Sequence, residues 1–261
     1  MRFATLFSGS SGNVTYINHK NTNILIDAGV SARALSHALI LQSIYENDIS
    51  AILLTHDHID HYRGIDLFAG KFNVPIYALP ECAIALAPTF RYLDINNINF
   101  IDGDFCVGDL HISPFFTSHD ASKSCGFKVC ADDGKTIVYA TDLGFVSQEI
   151  LDILLMADGL IIESNYDPYM LSYGNYPPYL KRRIMSKKGH LSNHDCADIV
   201  ASCAQKKTTR FLLSHLSIEN NTRELALDTT TALLAGVGVK ISKDITVDIA
   251  PRKEPSPLIV L

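Results

Sequence analysis

Short apolar runs broken by polar or glycine-bearing turns dominate the chain, and they set its predicted elements. Phe3–Phe7 predicts a first strand, cut off by the small-residue loop Ser8-Gly9-Ser10-Ser11-Gly12-Asn13. Val14–Asn18 and Asn23–Ile26 predict a hairpin across the polar turn His19-Lys20-Asn21-Thr22. Ser31 then reads as the N-cap of a helix to about Ser43. Ala51–Leu54 is an apolar run of the kind that marks a buried strand, and a helix through about Phe72 and a strand near Pro75–Ala78 follow. The middle predicts strands at Asp109–Thr117, Gly126–Cys130, Thr136–Ala140 and Gly159–Ile162. Beyond an aromatic, proline-containing segment (Tyr166–Leu180), helices are expected over 181–187, 194–204 and 219–234, with a strand at Arg210–Leu213. Strands alternating with helices make the class α/β or α+β. With no low-complexity linker, residues 1–261 read as one domain, ending in a loose tail over 251–261. Two strand-rich halves raise the question of an internal duplication, for which the sequence itself offers no match.

Composition narrows the setting. Apolar residues make up 47% of the chain and charged ones 19%, the mix of a water-soluble globular protein. No apolar run approaches the roughly 18–20 residues of a membrane span, so no membrane partner is expected. The N-terminal run is too short for a secretory leader, and six scattered cysteines without a C-x-x-C pair read as reduced thiols of a cytoplasmic protein. A net charge of −6 argues against a protein that coats nucleic acid with its whole surface, while leaving room for a local basic strip.

Chemistry concentrates in His56-Asp57-His58-Ile59-Asp60-His61, directly after a buried strand. Imidazole suits zinc, manganese or iron, and a carboxylate can share such a site. Ligands this close fit two ions better than one, with His56 and His58 on the first and Asp60 and His61 on the second. Two ions need more ligands, and strand ends are where they are expected. His119, Asp142 and His215 each follow an apolar strand, with Asp142 suited to bridge. His19, His37, His111 and His194 lack this context.

The series Asp27, His56-x-His58-x-Asp60-His61, His119, Asp142, His215 resembles the five motifs of the metallo-β-lactamase fold superfamily, in order. The resemblance implies a four-layer αββα sandwich with two divalent metal ions at one edge and no organic cofactor. It puts His56, His58 and His119 on one metal, Asp60, His61 and His215 on the other, Asp142 between them, and Asp27 as support. True β-lactamases of this fold carry cysteine where Asp142 stands and no ligand histidine at His61; di-iron flavoproteins carry an acidic residue where His58 stands. Both branches are disfavoured.

Ile161-Ile162-Glu163-Ser164-Asn165-Tyr166 and Gly189-His190-Leu191-Ser192-Asn193 resemble segments of RNase Z-type nucleases. That resemblance implies a proton relay of Glu163 and His190, although Leu191-Ser192 replaces the usual Ser-Thr. Lys181-Arg182-Arg183-Ile184-Met185-Ser186-Lys187-Lys188 holds five positive charges and no negative one, which suits a phosphate backbone. Tyr169, Tyr173, Tyr176 and Tyr179 suit base stacking or core packing. Together with the Ser8–Asn13 loop, these segments resemble the bacterial YycJ/WalJ-like group, associated with DNA exonuclease activity. The long inserted domain of β-CASP nucleases and an obvious tRNA-gripping arm are both missing.

The function expected from this reading is two-metal hydrolysis of nucleic-acid phosphodiesters, with DNA cut exonucleolytically. Asp60 would orient the attacking water and His190, set by Glu163, would protonate the leaving oxygen. Lys181, Arg182 and Arg183 would anchor the strand, and the loop carrying Ser10 and Asn13 would hold a terminal phosphate. A hydrolase of small esters, thioesters or lactones would use the same ligands. A metal-binding protein without turnover is a third class, but structural zinc sites are usually closed Cys/His tetrahedra.

Overall fold

The computed structural model describes residues 1–241 and 245–261. Its strands form two seven-stranded sheets. The first contains β1 (Arg2–Phe7), β2 (Val14–His19), β3 (Thr22–Ile26), β4 (Ala51–Leu53), β5 (Ile76–Ala78) and β6 (Ile98–Phe100). The second contains β7 (Phe105–Val107), β8 (Leu110–Phe116), β9 (Cys125–Ala131), β10 (Thr136–Ala140), β11 (Gly159–Glu163), β12 (Arg210–Ser214) and β13 (Thr246–Ile249). The last strand, β14 (Ile259–Val260), returns to the first sheet beside β1.

Both sheets follow one plan. In the first, β14-β1-β2-β3 run antiparallel and β3-β4-β5-β6 parallel. In the second, β7-β8-β9-β10 run antiparallel and β10-β11-β12-β13 parallel. The two halves therefore share one strand plan, a repetition silent in the residues.

The parallel strands are apolar on both faces because both faces are covered. Ile137, Tyr139, Ile161 and Leu212 join the core between the sheets. Their neighbours Val138, Ala140, Leu160, Ile162, Phe211 and Leu213 face a second core. That core is capped by α5 (Gln148–Leu154), α8 (Asn193–Lys206) and α9 (Arg223–Gly236). On the first sheet, α1 (Ala32–Leu41) and α3 (Ile65–Phe72) bury Leu35, Leu39, Ile65 and Phe68. The remaining helices, α2 (Ile59–Tyr62), α4 (Pro80–Leu86), α6 (Pro168–Tyr173) and α7 (Pro178–Ile184), are short. The layers are helix, sheet, sheet, helix, as the resemblance implied.

Three expectations need correction. The C-terminal tail is docked: Ser256 N–H donates to Thr5 O at 2.8 Å and Leu261 N–H to Met1 O at 3.0 Å. The exposed edge of β1 offers unpaired backbone groups, and Leu258, Ile259 and Leu261 bring apolar surface to cover it. The helix expected to run to Phe72 breaks into α2 and α3 at Gly64, whose N–H donates to Ala28 O at 2.8 Å. A Cβ at Gly64 would lie 2.2 Å from Val30 O, so only glycine fits there. The helix expected from residue 219 starts at Arg223, where Thr222 accepts the Leu225 N–H.

Candidate metal centre

The parallel strands of both sheets point their carboxyl ends at one edge, and the candidate residues collect there. After β4 the chain runs irregularly through a bend at Asp57 to His58, whose backbone is extended (φ −78°, ψ 144°), and then winds into α2. His56 and His58 end with ring centres 4.7 Å apart on either side of that bend, and the first turn of α2 fans Asp60 and His61 around its axis. In the second sheet, Asp142 follows β10, Glu163 ends β11 and His215 follows β12. Asp27, Asp142 and His215 all adopt left-handed backbone, at φ +63°, +55° and +55°. Such strain in three strand-end residues is the kind that functional sites retain.

Ligand-capable atoms of His56, His58 and His119 lie within 4.8 Å of one another, as do those of Asp60, His61 and His215. Asp142 reaches toward both groups. Its Oδ2 is 3.3 Å from His61 Nε2, and its Oδ1 is 3.7 Å from His119 Nε2 and 3.5 Å from His215 Nδ1.

Four of the five candidate ligand imidazoles, those of His56, His61, His119 and His215, are fixed from behind. Asp27, fully buried, takes His61 Nδ1 at 2.7 Å and also accepts the Thr55 N–H and hydroxyl. Thr55 Oγ1 in turn lies 3.0 Å from His56 Nδ1. His119 Nδ1 meets Gly189 O at 3.2 Å, and His215 Nδ1 meets Glu163 Oε1 at 2.7 Å. In all four rings the back nitrogen is engaged, which leaves Nε2 for the site, the arrangement carboxylate- and carbonyl-supported metal ligands use. Burial and the neighbouring imidazoles push His56 well below the usual histidine range. Burial also disfavours a charged His61, but the Asp27 and Asp142 carboxylates outweigh it and raise that ring to about 9.

The donor set fits divalent cations. His56 Nε2, His215 Nε2 and Asp142 Oδ2 are buried without any hydrogen-bond partner among the described residues. Such atoms cost about 1–3 kcal/mol each when left unsatisfied, and a cation relieves all three. His119 Nε2 and His58 Nδ1 face each other at 3.3 Å, lone pair toward lone pair unless one carries a proton.

His190 Nδ1 meets the same Glu163 oxygen at 2.8 Å that holds His215, so one buried carboxylate serves both rings. Burial alone would raise the Glu163 carboxyl, but His190 and His215 hold it below the usual range. His190 Nε2 has no partner among the described residues.

The other expected site residues divide. Asn13 is buried, with its Nδ2 3.1 Å from His61 Nε2 and 3.3 Å from Asp60 Oδ2, while its Oδ1 accepts the Gly9 N–H. Ser10 is exposed and touches none of the cluster. Arg183 pairs with Asp120, beside His119, through Nη2 at 2.9 Å, and Lys181 Nζ donates to Ser172 O at 2.8 Å. Arg182 is exposed and has no partner among the described residues. Two of the three cations therefore bind the strip to the protein.

Sequence reasoning missed four contributors. Thr55 links Asp27, His56 and His61, and its position beside His56 was the available signal. Ser8 Oγ accepts the His215 N–H at 2.7 Å across 207 residues. Asn221 Nδ2 donates to the Ser164 and Asn165 carbonyls, steadying the turn after Glu163. Asp120 is the partner of Arg183. None of the last three partnerships leaves a pattern in local sequence.

This arrangement defines a class, the hydrolases of the metallo-β-lactamase fold. The chain belongs to the family described as "Beta-lactamase superfamily domain", whose model matches residues 22–216. Among individual proteins, it is 32% identical over 258 residues to exodeoxyribonuclease YycJ of Bacillus anthracis, covering 98% of this chain and 97% of that one. It is 36% identical over 247 residues to exodeoxyribonuclease WalJ of Streptococcus pneumoniae, covering 91% of each. Among solved structures, the Bacillus subtilis protein YhfI superposes with a TM-score of 0.70 at 17% identity, over 98% of this chain and 99% of that one. The short form of human tRNase Z gives 0.68 at 16% over the whole of both chains. At those identities the two structures show the shared fold. No helix among the described residues is long and apolar enough to cross a membrane.

Proposed function

We propose that the chain is an exonuclease that hydrolyses phosphodiesters of DNA with two divalent cations, zinc or manganese. The observation that carries this reading is the Glu163–His190 pair at 2.8 Å, placed against the ligand cluster. In support, YycJ and WalJ, similar over nearly their whole length, are both named exodeoxyribonucleases.

His56, His58 and His119 would hold one cation, Asp60, His61 and His215 the other, with Asp142 shared. When bound, the cations supply water activation and neutralise charge on the phosphoryl oxygens. The chain's own residues do the rest. Asp27 and Thr55 lock the rings of His61 and His56, and Glu163 locks His215. Asp60 accepts a hydrogen bond from the attacking water and aims it at phosphorus. His190, its Nδ1 tied to Glu163, donates from Nε2 to the leaving oxygen. Asn13 holds the Asp60 carboxylate in place. Arg182, with Lys187 and Lys188, meets the phosphate backbone, while Lys181 and Arg183 keep the strip against the site. A hydrolase of small esters would use the same ligands and leave both the Glu163–His190 pair and the basic strip idle.

The test is cleavage of DNA and RNA labelled at one end or the other by protein reloaded with manganese or zinc. Progressive release of label from DNA, lost in Asp60→Ala, is expected. Intact polymers in every condition, alongside turnover of a thioester or lactone, would replace this function with the small-ester one.

A further inference from the structure

Of the five tyrosines between Glu163 and Leu180, Tyr166 and Tyr176 are packed and three are not. Tyr176 lies against the small core of Tyr166, Leu171 and Ile184 that holds α6 and α7. Tyr169 and Tyr173 stand one turn apart on α6, 70% and 76% exposed, with ring centres 4.5 Å apart. Tyr179, on α7, is 67% exposed. Folding therefore leaves three aromatic faces in water, beside a helix rich in positive charge.

These helices belong to the framework of the metal centre. Asp167, the N-cap of α6, comes four residues after Glu163. Lys181 of α7 is bonded to Ser172, next to Tyr173, and Arg183 is paired with Asp120, next to His119. Beyond α7, Ser118 Oγ donates to Lys187 O at 2.7 Å and His190 N–H to Ile184 O at 3.0 Å. Arg182, Lys187 and Lys188 are all exposed, and the charged side-chain ends of Arg182 and Lys188 have no partner among the described residues.

Open aromatic faces beside unneutralised cations match an unpaired polynucleotide strand, whose bases stack while its phosphates meet the cations. A duplex hides its base faces, so it would engage the cations and leave the rings unused. We propose that the α6–α7 surface is a stacking platform for unpaired nucleotides, and that the substrate reaches the centre as a single strand or an opened end. This rests on the nuclease reading above.

The test uses the full-length protein carrying Asp60→Ala, so that the strand stays intact, and single-stranded DNA containing 2-aminopurine. Stacking quenches the probe, and binding is followed in parallel by anisotropy. Tyr169→Ala with Tyr173→Ala is expected to weaken single-strand binding about tenfold or more, since stacking contributes about 1–3 kcal/mol per base. The quenching should disappear, and blunt duplex affinity should change less than twofold. Tyr169→Phe with Tyr173→Phe keeps the rings and should retain both signals. Unchanged single-strand binding, equal loss on duplex, or failure of the phenylalanine pair to retain binding would each overturn the platform. Cleavage by the protein without Asp60→Ala separates the two readings. If labelled DNA is cut while the alanine pair binds normally, only the platform fails. If nothing is cut while tyrosine-dependent single-strand binding persists, the nuclease reading fails and the platform stands.

Discussion

The two sheets repeat one strand plan but deliver their site residues in opposite ways. After β4, the first sheet gathers His56, His58, Asp60 and His61 within six residues. The second leaves Asp142, Glu163 and His215 singly at the ends of three neighbouring parallel strands. The cause is local. In the first sheet the segment after β4 bends at Asp57 and turns into α2 directly after His58, so one short segment fans out four side chains. In the second, the fan is made by strand spacing, roughly 4.8 Å from one strand to the next. Each half also has its own buried carboxylate behind the rings, Asp27 in the first and Glu163 in the second. The difference is that Glu163 also carries His190, the proton donor of the proposed reaction.

Asp142 faces both halves, and its loss should break the comparison most severely. Asp142→Ala should abolish cleavage, a larger effect than the roughly 10–100-fold loss typical of a residue that only supports a ligand. Elemental analysis should show metal content falling with it. His190→Ala comes next, with turnover down about 10²–10⁴-fold and metal content unchanged, because the proposed reaction uses His190 as proton donor and not as a ligand. Asp27→Asn and Glu163→Gln form a matched pair that sharpens the contrast. Both should weaken metal binding about 10–100-fold in a chelator titration. With metal saturating, Asp27→Asn should recover most of its turnover, and Glu163→Gln should stay impaired because His190 loses its anchor.

The smallest effect lies away from the centre. Asp66 Oδ1 accepts the N–H groups of Arg91, Tyr92 and Leu93, which hold its carboxyl below the usual range. Asp66→Ala should lower stability by about 1 kcal/mol in urea melts at neutral pH. A depressed folded-state pKa gives stabilisation that is complete above a pH of about 4 and fades as pH falls through the folded value. The gap between Asp66→Ala and the parent protein should therefore narrow in acid. An unchanged gap would mean that the charge on Asp66 contributes nothing.

The same contrast explains what the sequence made legible. The contiguous cluster announced itself because imidazoles at that spacing have few other uses. His119, Asp142 and His215 were legible through the apolar strands that precede them. The supports were harder to read: Ser8 reaches His215 across 207 residues, and Asn221 reaches Ser164 across 57, distances at which local patterns carry nothing. The tail was misjudged because β14 is only two residues long and is a strand only by virtue of the β1 edge it covers. The shared plan of the two sheets stayed hidden because a strand plan can repeat while its residues do not.

The central claim is that both halves of the chain build one two-cation centre. A crystal structure of the manganese- or zinc-loaded protein, with anomalous scattering collected at the metal edge, tests it most directly. Two peaks are expected, one bordered by His56, His58 and His119 and the other by Asp60, His61 and His215, with Asp142 between them. A single peak confined to one half, or peaks that leave Asp142 uncoordinated, would contradict it.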